Sequence, residues 1–112
     1  MPELPDIELY RHVLRSNVGD RVLERVRLAS PFVLRSVEPS IDAVEGKRVL
    51  DVRRLGKRLV FVLEEDLYLV LHLMIAGRLR WKTAGHKIPG RVGLGAFDFE
   101  NGTLLLTEAS KK

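Results

Sequence analysis

A chain of 112 residues, 46% of them apolar, is one domain, and at that length folding hides roughly two-thirds of the unfolded surface without metal or disulfide staples. The absence of cysteine excludes thiolate zinc sites, iron–sulfur clusters, disulfides and a cysteine nucleophile, and three scattered histidines do not make a histidine metal site. A formal charge of +4, with 30% charged residues of both signs interspersed, excludes a disordered chain and leaves a polyanion as a candidate partner.

From Pro5 to Val18 the apolar residues Ile7, Leu9, Tyr10, Val13 and Leu14 recur at helical spacing, with Asp6 and Glu8 where the helix dipole favours negative charge. Gly19 and Asp20 end this helix. Strand character follows at Val22–Leu28, Arg48–Leu55, Arg58–Leu63, Leu67–Leu73, Gly77–Trp81, Gly93–Phe99 and Thr103–Thr107. Between the first two strands Ser40 is placed to cap a short helical turn ended by Gly46. Asn101-Gly102 predicts a type I′ hairpin, and Glu64-Glu65-Asp66 a second, less specific one. Leu59–Leu63 and Leu67–Leu71 are apolar at every position, which predicts strands buried on both faces. The expected architecture is a β-sandwich with one amino-terminal helix, a possible short second helix and a mobile loop over Lys82–Arg91.

The near-apolar run from Leu67 to Ala76 is about half the ~20 residues a membrane helix needs, so no membrane partner is expected. The amino terminus lacks the features of a secretory signal, and the expected compartment is the cytoplasm, on the nucleoid if the cell is bacterial. The polar ending Thr107–Lys112 suggests a domain cut from a larger parent, a short polar tail being the alternative.

Basic residues cluster. Arg48, Arg53, Arg54, Lys57 and Arg58 fall within eleven positions, and Arg78, Arg80, Lys82, Lys87 and Arg91 within fourteen. Such clusters suit a phosphate backbone, a solvated basic face being the plainer alternative. At the amino terminus, removal of Met1 exposes the secondary amine of Pro2. With an α-amino pKa near ~8, a useful fraction is unprotonated at neutral pH and forms Schiff bases with aldehyde carbons. Glu3, beside it, suits proton transfer. If Met1 is retained, the Pro2 nitrogen is an amide without a basic lone pair.

The run Met1-Pro2-Glu3-Leu4-Pro5-Asp6-Ile7-Glu8 resembles the opening of the formamidopyrimidine-DNA glycosylase and endonuclease VIII family, written Met-Pro-Glu-Leu-Pro-Glu-Val-Glu in its purine-repair branch. Asp51–Lys57 with its following apolar strand, His72-Leu73 with Gly77-Arg78-Leu79, and Asn101-Gly102 extend the resemblance in order along nearly the whole chain. It covers only that family's amino-terminal catalytic domain, so the helix–two-turn–helix and the zinc-bearing cysteine finger would lie beyond Lys112. Zinc is therefore implied for that other part, and no cofactor, small-molecule or metal, for residues 1–112.

The resemblance implies a base-excision-repair enzyme acting on damaged double-stranded DNA. It flips an oxidised base from the duplex, releases it by attack of the Pro2 nitrogen on C1′ of the sugar, and cuts the strand by β-elimination from the resulting imine. Glu3 corresponds to the acid/base residue that assists sugar-ring opening. Lys57 corresponds to the lysine that contacts phosphate and promotes elimination, and His72 and Arg78 to groups on the DNA side.

The sequence departs from the family in three places. Ile75 stands where the family's methionine wedge is found, with Met74 beside it as a second candidate to fill the gap left by the flipped nucleotide. Arg91–Leu94 replaces a Lys-His-Asp-His run, and His86 is a poor substitute for its histidine. Glu108–Lys112 replaces Asp-Pro-Arg-Arg-Phe-Gly, where Lys111 keeps a charge but loses the bidentate geometry of guanidinium. A lone amino-terminal domain supplies one wall of a DNA groove, so weak binding and little turnover are expected of it. From the residues alone, two other readings stay open: an N-terminal-proline tautomerase-like enzyme, and a non-catalytic β-sandwich that serves as a DNA-binding or interaction module.

Overall fold

The computed structural model describes residues 4–29, 41–73, 77–90 and 93–108. Along the chain these form α1 (Leu4–Val18), β1 (Val22–Leu28), a 3-10 turn (Ile41–Val44), β2 (Lys47–Leu55), β3 (Arg58–Leu63), a second 3-10 turn (Glu64–Asp66), β4 (Leu67–His72), β5 (Gly77–Lys82), β6 (Gly93–Phe99) and β7 (Gly102–Glu108). The expected strands are all present, three with the expected bounds, three displaced by one residue at one end, and β7 longer by one residue at each end.

The strands run in the order β4-β3-β2-β1-β6-β7-β5, each antiparallel to its neighbours. The sheet is not flat. β1 and β2 share only two paired positions, Val22 with Arg48 and Leu23 with Lys47, and a register shift between Val49 and Asp51 then bends β2 away. The ring of Phe61 on β3 lies 6.4 Å from that of Phe99 on β6. In a flat sheet, with β2 and β1 between them, those strands would stand roughly 14 Å apart. The layer β2-β3-β4 is therefore folded over the layer β1-β6-β7-β5, and the architecture is the expected β-sandwich.

Phe61, Phe97, Phe99, Leu59, Leu63, Val49, Val52 and Leu104 fill the space between the layers. Full burial of each such side chain contributes about 1.5–3 kcal/mol. The helix closes one side of this core with Ile7, Leu14 and Val18, and Tyr10 packs at the margin. Leu9 and Val13, also counted on the apolar face by spacing, are exposed instead. The left-handed residue that ends α1 is Asp20, with φ 63°, and not Gly19. A side chain on Gly19 would meet the carbonyl oxygen of Arg15 at 2.5 Å, so glycine is there for space.

Two hairpin expectations need correction. Phe99 pairs with Gly102, so the turn residues are Glu100 and Asn101, and neither Asn101 nor Gly102 has the positive φ of a type I′ turn. Gly102 is needed because a Cβ there would sit 2.3 Å from the Trp81 indole. The positive φ angles fall in the other hairpin, at Glu65 (63°) and Asp66 (60°), where three residues join Leu63 to Leu67. The strands read as buried on both faces are buried on one: Leu59, Phe61, Leu63, Leu69 and Leu71 point inward, while Tyr68 and Val70 are exposed. Their uniform hydrophobicity hid a period-2 pattern.

The stretch between β5 and β6 is tied down at several points. The Gly85 amide donates to Thr103 Oγ1 at 2.8 Å, Arg27 Nη2 donates to the His86 carbonyl at 2.8 Å, and the Gly93 amide donates to the Pro89 carbonyl at 2.9 Å. Arg27 also forms two 2.8 Å bonds to the Asp98 carboxylate, which accepts a third from Thr103 at 2.7 Å. Burial alone would raise the Asp98 pKa, and the bonds from Arg27 and Thr103 outweigh it and hold it below the usual carboxylate range. The short helical turn expected before Gly46 is present, and Gly46 has φ 83°; Ser40 lies outside the described residues.

Candidate nucleic-acid interface

A tight turn carries Lys57. Leu55 pairs with Arg58, which leaves Gly56 and Lys57 as the two central residues of the β2–β3 hairpin. Gly56 supplies φ 61° at the first central position, where a type II′ turn wants glycine, and Lys57 stands at the tip. Sequence reasoning passed over this hairpin, although a Gly-X pair between two strand-like runs is its signal.

Backbone register brings the other expected residues toward this tip. Arg58 pairs with His72, so the end of β4 lies beside the start of β3. The Gly77 amide then donates to the Leu73 carbonyl at 2.8 Å, which joins the end of β4 to the start of β5. Gly77 pairs with Glu108 and Arg78 with Thr107, so the end of β7 lies beside the start of β5. Lys57, His72 and Arg78 thus stand at one end of the sandwich, together with the end of the strand that precedes Lys111. His72 is exposed, and Arg78 is half-buried with its guanidinium donating to the Gly77 carbonyl at 2.8 Å.

The helix points its beginning at the same end. Arg54, two residues before the turn, donates to Glu8 on α1 at 2.9 Å and to the Gly56 carbonyl at 3.0 Å. Farther down, Arg15 donates to the Val52 carbonyl at 3.1 Å and pairs with Asp51 at 2.9 Å. The far end of α1 is held by Asn101, which donates to the Asn17 carbonyl at 2.9 Å. These ties run α1 along β2 with Leu4 toward the hairpin tip. Hydrogen bonds from Arg11 and then Arg54 hold the Glu8 carboxyl below its ordinary range. Burial pushes Asp51 up, and bonds from Arg53 and the Val52 amide, with Arg15 close by, more than reverse it.

Pro2, Glu3, Met74, Ile75 and Lys111 lie outside the described residues. Pro2 and Glu3 directly precede α1, Met74 and Ile75 stand in the link between β4 and β5, and Lys111 follows β7. Sequence reasoning placed Glu8 in the first helical turn and Arg54 and Arg58 in a basic cluster but missed the tie between Glu8 and Arg54, because that bond spans 46 residues and no local pattern encodes it. The zinc implied by the resemblance has no fitting residues here, since the chain lacks cysteine and the described residues hold no group of three or more metal-ligating side chains.

Fold and site together define a class: a two-layer β domain whose leading helix and basic hairpin meet at one end. The chain belongs to the formamidopyrimidine-DNA glycosylase N-terminal domain family, whose sequence profile matches residues 1–110. The formamidopyrimidine-DNA glycosylase of Pelotomaculum thermopropionicum is 36% identical over 107 residues, covering 94% of this chain and 38% of that protein. The Mycoplasma genitalium protein of the same name is 30% identical over 107 residues, with the same coverage. The Lactococcus lactis formamidopyrimidine-DNA glycosylase, solved non-covalently bound to DNA containing an AP site, matches with a TM-score of 0.84 at 25% identity, over 95% of this chain and 41% of that one. The chain spans about two-fifths of the length of these relatives. No described helix is long and apolar enough to cross a membrane.

Proposed function

We propose that this chain is the amino-terminal catalytic part of a DNA glycosylase with AP lyase activity that acts on oxidised bases in double-stranded DNA. The observation that carries this reading is the convergence of the start of α1, the Lys57 turn, His72 and Arg78 at one end of a domain of this family.

In the proposed reaction the unprotonated Pro2 nitrogen attacks C1′ of the damaged nucleotide, the C1′–base bond breaks, and the base leaves with a proton. The carboxyl of Glu3 protonates the ring oxygen, the sugar ring opens, and a cationic imine joins Pro2 to C1′. That imine acidifies the proton on C2′. The Glu3 carboxylate left by ring opening takes that proton, and the electron pair expels the 3′ phosphate by β-elimination. The Lys57 ammonium contacts the departing phosphate and so promotes the step. His72 contacts phosphate, Arg78 lies on the DNA side, Lys111 keeps a charge where the family's arginine enters the helix opposite the lesion, and Ile75 or Met74 fills the gap the nucleotide leaves. Residues 1–112 alone form one wall of the groove, so duplex affinity is weak and turnover slow without the remainder of the parent.

Borohydride reduction in the presence of abasic-site DNA tests this. A methionine-free parent protein gives a covalent adduct that maps to Pro2, and acetylation of the amino terminus abolishes it. Adduct formation that survives acetylation overturns the role of Pro2. No adduct, with salt-dependent duplex binding intact, marks a non-catalytic DNA-binding module.

A further inference from the structure

The outer face of the β2-β3-β4 layer changes character at its hairpin end. β3 buries Leu59 and Phe61 and β4 buries Leu69 and Leu71, so Arg58 and Val60 on one strand and Val70 and His72 on the other point outward. The ladder fixes which of them are neighbours. Arg58 stands opposite His72 on β4 and opposite Leu55 on β2, and Val60 stands opposite Val70. Side chains paired in this way start from Cβ atoms about 4.5–5.5 Å apart, so the guanidinium and the imidazole share one patch of surface. Both are exposed. Their nearest neighbours along and across the strands of this face are Leu55, Val60 and Val70, whose side chains offer neither donor nor acceptor.

Nearby arginines have carboxylates of their own. Asp51 pairs with Arg15 and Arg53, and Glu8 with Arg11 and Arg54. No ion pair among the described residues includes Arg58 or His72. Two adjacent hydrogen-bonding side chains on an otherwise apolar patch thus face outward without an acceptor between them. A guanidinium presents two parallel N–H groups to two oxygens of a phosphate, and an imidazole, even when neutral, donates one N–H. We propose that Arg58 and His72 together seat a single phosphodiester group of the DNA backbone, beside the phosphate that Lys57 contacts. Lys57 directly precedes Arg58 at the hairpin tip, so the seat and the lysine address neighbouring parts of one strand. The seat rests on the ladder; that its occupant belongs to DNA rests on the function proposed above.

A double-mutant cycle in the parent protein tests this, with undamaged duplex and inorganic phosphate as separate probes. Arg58→Gln and His72→Ala each weaken duplex binding by roughly tenfold, and Arg58→Gln lowers the salt slope by about one. The double variant loses little more than the weaker-binding single variant, because both donors serve one phosphate. Arg58→Lys keeps the charge but not the fork, so it restores the salt slope and only part of the affinity. Losses that multiply in the double variant, an Arg58→Gln protein of unchanged affinity, or full affinity in Arg58→Lys overturns the shared seat. With inorganic phosphate at constant pH, the His72 ring signals move in nuclear magnetic resonance spectra of the wild type and not in those of Arg58→Gln. Ring signals that stay still, or move equally in both proteins, also overturn it. Phosphate that shifts His72 through Arg58 while duplex does not bind leaves the seat standing and counts against the proposed function; duplex bound equally well by Arg58→Gln does the reverse.

Discussion

Glu8 in the second turn of α1 accepts a hydrogen bond from Arg54 at 2.9 Å, and Arg54 in turn donates to the carbonyl of Gly56 at 3.0 Å. One guanidinium thus ties the helix that follows Pro2 and Glu3 to the turn that carries Lys57. Because the folded-state pKa of Glu8 is depressed, this tie is complete above the ordinary value of 4.5 and is lost as pH falls through the lower folded value. The effect on overall stability is small, since the pair is exposed. In the parent protein Glu8→Gln lowers the yield of borohydride-trapped adduct more than it lowers duplex affinity; equal losses in both would place Glu8 outside the positioning of the amino terminus.

On the function proposed above, Lys57→Ala in the parent protein slows strand scission and reduces the slope of log affinity against log salt by about one, the loss expected for one phosphate contact. Gly56→Ala tests the same position by another route. The backbone there has φ 61°, which costs a residue with a Cβ about 1–2 kcal/mol, so the turn and its lysine are displaced. Scission rates of both variants, measured with their salt slopes, check this. A Gly56→Ala protein of unaltered scission rate would show that the turn does not set the lysine's position.

Gly102→Ala drives a methyl group to 2.3 Å from the Trp81 ring, whose centroid lies 6.1 Å from that of Phe99. The expected destabilisation is about 1–3 kcal/mol. Trp81 is the sole tryptophan of the chain, so its emission reports the displacement directly. Unchanged emission and unchanged denaturant midpoint would mean that the indole yields without strain.

Asp98→Asn removes the charge from a carboxylate that accepts three hydrogen bonds and links β1, β6 and β7 to the 83–90 stretch. The expected cost is about 1–3 kcal/mol, with faster hydrogen exchange at the Gly85 amide. The folded-state pKa lies below the ordinary 3.8, so the wild-type contribution is present above that value and fades as pH falls through the folded one. The variant's stability therefore depends less on pH in that acidic window, as chemical denaturation across it measures.

Much of this protein is written locally. Strand bounds followed from short apolar runs between Gly, Asp and Pro, because backbone propensity and period-2 burial act within a few residues. The octet from Met1 to Glu8 carried the family resemblance by itself, whereas that Gly56 and Lys57 form a hairpin turn came only with the structure. Which face of β3 and β4 is buried was not legible, as Leu59–Leu63 and Leu67–Leu71 are apolar throughout and only the opposing layer distinguishes Phe61 from Val60. Gly102 looked like a turn residue until the neighbouring strand put Trp81 against it. Tertiary structure alone decided that helix, turn, His72 and Arg78 meet at one end. That convergence depends on a sheet folded at Val49–Asp51 and on bonds such as Glu8–Arg54, between residues far apart in the chain, whose free energy exists only once the layers have closed.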